Sequence, residues 1–110
     1  MMDNLTVNDR GQVLLQEDPG GQDYLAGIFQ YDPATGAVAR IAQHRAELFA
    51  PGGAQFITRD EESSGIIPVP FLGAGKYLLT DQVHFKTNDP ETVELGQLLL
   101  MQVAPGKPVR

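Results

Sequence analysis

Carboxylates gather in three short clusters along the chain: Asp3-Asn4, Glu17-Asp18 and Asp60-Glu61-Glu62. Several oxygen ligands brought to one place suit a hard cation, calcium above all. The spacing of the turns supports such a gathering. The chain reverses at Asn8-Asp9-Arg10-Gly11 and again at Asp32-Pro33-Ala34-Thr35-Gly36. In a meander every second connection returns to the same rim, so the acids fall on one rim and the plain turns on the other. Asp3 and Asn4 lead into the first strand, Glu17 closes the second, and Glu62 precedes a later one; these four are the candidate metal ligands. Asp18, Asp60, Glu61 and His84 are further rim candidates. Each also has a plain reading: a polar chain end, loop chemistry before Pro19-Gly20-Gly21, a solvated charged run, or a surface histidine.

Other chemistries find less support. The hydroxyls of Ser63 and Ser64 could donate to the neighbouring carboxylates. No Gly-x-Ser-x-Gly elbow presents a serine nucleophile, and His44 and His84 are the only imidazoles. Gly73-Ala74-Gly75-Lys76 resembles a phosphate loop only superficially, since no Ser or Thr follows Lys76 and no helix is expected there. It reads as a turn before a strand. With no cysteine, disulfides, thiolate nucleophiles and cysteine-based zinc or iron–sulfur sites are excluded.

The elements that must position these residues are short strands. A chain of 110 residues, 42% hydrophobic and 20% charged, reads as one soluble globular domain. Its net charge of −6, without a basic patch, argues against nucleic acid and anionic membrane as partners. No apolar run approaches the ~20 residues of a membrane span, and the opening Met-Met-Asp-Asn-Leu has no signal-peptide character. Strand-like sequence starts almost at once, which suggests a piece of something longer behind an added initiator methionine.

Residues 4–7, 13–17, 24–31 and 37–42 read as four strands linked by tight turns. That rhythm suggests an all-β fold, and the antiparallel four-stranded meander matches one blade of a β-propeller. Residues 44–56 are expected to form a long loop, with room for one helical turn before Pro51-Gly52-Gly53. Further strands are expected from Ser64, over Lys76 to His84, and over Gln97 to Val103, with Pro68 at an edge or bulge. The division is therefore a single β-domain: a first blade over 1–43, a loop over 44–64, a partial second blade over 65–104 and a frayed tail over 105–110. Open blades leave strand edges that invite self-association.

Taken in order, Asp3-Asn4-Leu5-Thr6-Val7, Gln16-Glu17-Asp18-Pro19-Gly20, Asp60-Glu61-Glu62-Ser63-Ser64-Gly65-Ile66-Ile67, Tyr77-Leu78-Leu79 to His84 and Gly96-Gln97-Leu98-Leu99-Leu100-Met101 resemble the C-terminal part of the PhoX-type bacterial alkaline phosphatases. The resemblance runs from Asp3 to Val103 and is poorest over 42–56. It implies a β-propeller that hydrolyses phosphoesters with calcium, and with iron as an additional metal in the family. It implies metal ligation by Asp3 and Asn4, with Glu17 on the same rim and Glu62 as a weaker candidate. The family's cysteine iron ligand has no counterpart, so iron is not expected here. The longer protein would be exported, and this portion alone inactive. The alternative is a non-catalytic structural or interaction module whose acids are solvated.

Overall fold

Asn8 reverses the chain with its own side chain. Its Oδ1 accepts the backbone N–H groups of Arg10 (2.9 Å) and Gln12 (3.0 Å). Gly11 then takes a φ of 76°, which a side chain would resist. The turn closes β1 (Met2–Val7) onto β2 (Val13–Glu17). Asp32 repeats the device: its Oδ1 accepts the Ala34 N–H (2.9 Å) and its carbonyl accepts the Gly36 N–H (2.7 Å). That turn joins β3 (Gly27–Asp32) to β4 (Ala37–Gln43). The computed structural model describes residues 1–18, 20 and 23–104. Pro19 and Gly21 of the expected strand break, and the expected tail over 105–110, lie outside the described residues.

The architecture is all-β, as expected. An antiparallel four-stranded meander in the order β1-β2-β3-β4 is followed by a three-stranded antiparallel sheet of β5 (Glu62–Pro68), β6 (Lys76–Lys86) and β7 (Glu94–Gln102). The sheets do not close into a barrel. Between them lies a single helical turn, α1 (Ala46–Phe49), whose Phe49 is buried edge-on to His44 at 5.3 Å between ring centroids. Among the described residues no helix is long and apolar enough to cross a membrane.

Strand alternation builds the core. Leu14, Ile28 and Ile41 from the first sheet meet Ile66, Tyr77 and Leu79 from the second. Each such side chain contributes about 1.5–3 kcal/mol when fully buried. The sheets touch along β1 and β5, where Asn4 Nδ2 donates to Ser64 Oγ (3.3 Å), and Asn8 Nδ2, in the turn after β1, donates to the Tyr77 hydroxyl of β6 (3.0 Å). The other two outer strands, β4 and β7, line a cleft of about 500 Å³.

The second sheet starts earlier than the sequence suggests. Ser64 was the expected first strand residue, yet Glu62 and Ser63 already pair with Gln82 and Asp81. Gly65, with φ 61°, absorbs a register shift between Ser64 and Ile66. The bulge lets a polar segment join an apolar strand, so the acidic run is strand at its C-terminal end. β6 continues past His84, which takes a φ of 43° where the β6–β7 register breaks. β7 likewise begins at Glu94, ahead of Gln97. Pro68 ends β5, an outer strand of its sheet.

Candidate functional site

The acidic rim assembles around a β-bulge. Met2 pairs with Glu17 and Asn4 with Gln16, so Asp3 is the extra residue between them. A bulge re-aims the side chain it carries. Asp18 follows directly on β2, and Glu62 opens β5. One carboxylate oxygen from each of Asp3, Asp18 and Glu62 lies within 4.8 Å of the others. Three segments distant in sequence thus converge on one all-oxygen donor set. The Met1 ammonium donates to the Asp18 carbonyl (3.1 Å), and the Asp18 N–H donates to the Met1 carbonyl (2.7 Å), which fastens the start of β1 beside the rim.

Glu62 has a second neighbour. His84 Nε2 lies 3.0 Å from Glu62 Oε2, and its Nδ1 lies 3.0 Å from Glu94 Oε2. The hydrogen bond to Glu62 raises the His84 pKa above its ordinary value. Slight burial opposes this, and the bond to Glu94 with the charges of Asp60 and Glu94 adds to it. Both ring nitrogens face carboxylates, so both carry protons when both contacts are hydrogen bonds, and His84 on β6 bridges Glu62 of β5 and Glu94 of β7.

The remaining expected rim residues make other contacts. Asn4 Nδ2 donates to Ser64 Oγ. Glu17 is buried and its Oε2 accepts the Gly27 N–H (2.7 Å), which ties β2 to β3. Glu61 is 1% exposed; its Oε1 accepts the Ala26 N–H (3.0 Å), while Oε2 has no hydrogen-bond partner among the described residues. Asp60 is exposed, and its N–H donates to Thr58 Oγ1 (3.1 Å).

A second polar group lies between the sheets. His44 Nε2 stands 2.5 Å from Asp81 Oδ1, and its Nδ1 stands 2.9 Å from the Ala26 carbonyl. Both neighbours are acceptors, so both ring nitrogens must carry protons for both contacts to be hydrogen bonds. Burial pulls the His44 pKa down, but the bond to Asp81 and its charge, the Ala26 carbonyl and the charge of Glu61 outweigh it and leave it raised. Ser63 is buried opposite Asp81 and lines the same cleft as His44. The residue types are those of a Ser-His-Asp triad, but the geometry is not. A general base needs a free imidazole lone pair facing the serine, and His44 has none to offer. The group is a buried ion pair beside Ser63, whose hydroxyl finds no partner among the described residues.

Sequence reasoning passed over Asp81 and Gln16. The signal for Asp81 was there: Tyr77, Leu79 and Asp81 alternate along one strand and share its buried face. Gln16 follows the buried Leu14 by two in β2. No protein-family model matches the chain, and neither a curated protein nor a solved structure matches it.

Proposed function

We propose that this chain supplies part of the calcium-binding rim of a metal-dependent phosphoester hydrolase of the PhoX type, with Asp3, Asp18 and Glu62 as ligands, and that hydrolysis requires further ligands from a longer protein. The observation that carries the reading is the convergence of those three carboxylates within 4.8 Å. Their donor set is all oxygen, which fits calcium. Calcium takes six to eight oxygens, so three carboxylates leave positions for other ligands and for substrate. A calcium ion there would neutralise phosphate charge and polarise a phosphoryl oxygen. Asp3 and Asp18 hold the first-sheet side of the site, and Glu62 holds the second-sheet side, oriented by His84.

Calorimetric titration of the chelator-treated chain with calcium tests this reading. One site is expected, and it is weakened at least tenfold in Asp18→Asn. Calcium-loaded chain is expected to leave nitrophenyl phosphate intact. Turnover by this chain alone would overturn the requirement for outside ligands, and absence of a calcium heat would overturn the site. The second reading, a non-catalytic interaction module, is favoured by the apolar β7, which pairs on one side only among the described residues.

A further inference from the structure

β7 pairs with β6 on one side and has no strand on the other among the described residues. Its composition is that of an interior strand. Leu95, Leu99, Leu100 and Met101 line the cleft between the sheets, while Leu98 is 71% exposed and Leu100 itself 53% exposed. Strands apolar on both faces belong where both faces are covered. Outer strands are ordinarily guarded by charge, proline or a bulge. From Leu95 to Gln102 there is no charge and no proline, and the pairing with β6 runs without a shift from Gln102 to Gly96. The other outer strand facing the cleft, β4, is guarded: it carries Arg40 and a register break that leaves Ile41 as the extra residue. What β7 presents is a row of backbone N–H and C=O groups beside leucines, and another strand satisfies both.

We propose that β7 pairs antiparallel with β7 of a second copy about a two-fold axis at Leu98, which joins two three-stranded sheets into one of six strands. Leu98 is the middle of the nine residues Glu94–Gln102. Pairing about it sets Glu94 against Gln102, Leu95 against Met101, Gly96 against Leu100 and Gln97 against Leu99. The single charge of the strand faces an uncharged amide, so no like charges oppose. A slip by one residue would set cleft-facing side chains against outward ones. A two-fold contact also closes on itself and stops at two copies. The proposal is independent of the calcium reading.

Light scattering on the full chain, at high micromolar concentration after gel filtration, tests it. The expected mass is about twice 11.9 kDa. Leu98→Lys and Leu98→Glu each place like charges opposite one another on the axis, and each is expected to be monomeric with an unchanged far-ultraviolet circular dichroism spectrum. An equimolar mixture of the two sets opposite charges on the axis, and the dimer is expected to return. A monomeric wild type overturns the proposal. So does a dimer that survives both substitutions, which would move the contact to another edge, or a mass above two copies. Two monomeric variants that fail to associate when mixed would overturn the register.

Discussion

Glu62 and His84 are joined across β5 and β6, with Nε2 of His84 3.0 Å from Oε2 of Glu62. The same glutamate belongs to the Asp3–Asp18–Glu62 group. One side chain thus links the rim to the second sheet, and the imidazolium that orients it also competes with any cation for its charge.

Replacing His84 separates these two effects. His84→Gln removes a positive charge beside Glu62 while keeping a hydrogen-bonding side chain. Partly exposed ion pairs contribute about 0.5–1 kcal/mol, so calcium affinity is expected to rise roughly two- to fivefold while stability falls by a similar energy. Calorimetric titration and urea unfolding of the same variant read the two quantities. Weaker calcium binding would mean that His84 chiefly orients Glu62.

Stability should fall as pH rises. The His44 pKa is raised in the folded protein, so the folded state holds that proton more tightly than the unfolded chain does. The resulting stabilisation is fully present below about pH 6.5 and fades as pH rises through the folded pKa, with a slope of at most about 1.4 kcal/mol per pH unit. His84 acts in the same direction, so the measurement belongs in the His84→Gln background. Urea midpoints taken between pH 6 and 9 are expected to decline, and Asp81→Asn is expected to flatten the decline. A flat profile before that substitution would contradict a protonated His44.

The ion pair also costs stability when broken from one side. Asp81→Ala removes the carboxylate at His44 Nε2 and leaves the imidazole buried without that partner, and losses of up to about 3–5 kcal/mol follow from such breaks. The double variant His44→Phe with Asp81→Leu is expected to recover much of that loss, because neither charge remains. Chemical denaturation of both decides it; equal losses in the two would show that shape, not charge, governs the site.

Gln16 offers a stabilising change. It is fully buried, and neither amide atom has a hydrogen-bond partner among the described residues. Gln16→Met keeps the length and removes the polar group, and a gain of about 1–2 kcal/mol is expected. A loss on thermal unfolding would show that the amide is satisfied in solution.

Local chemistry was legible and long-range pairing was not. Asn8 to Gly11 and Asp32 to Gly36 announced their turns because each device lies within five residues. The meander followed from them. The start of β5 was hidden because Asp60-Glu61-Glu62 reads as solvated charge, and only pairing with β6 makes Glu62 and Ser63 strand. The rim was legible in kind rather than in membership. Asp3, Asp18 and Glu62 meet because a bulge and two strand ends bring them together, whereas Glu17, one residue from Asp18, turns inward to the Gly27 N–H. Strand alternation separates such neighbours, and composition cannot. His44 and Asp81 stand 37 residues apart, and no local pattern joins them.

The central claim is the rim, and thermal unfolding of the chelator-treated chain with and without calcium tests it most directly. Calcium at a hundred times its dissociation constant stabilises by about 2.7 kcal/mol, which corresponds to a rise in Tm of roughly 10 °C for a domain of this size. That rise is expected in the wild type and is expected to fall to about half or less in Asp18→Asn at the same calcium concentration. An unchanged Tm at saturating calcium, or an equal rise in both proteins, would contradict a site at Asp3, Asp18 and Glu62.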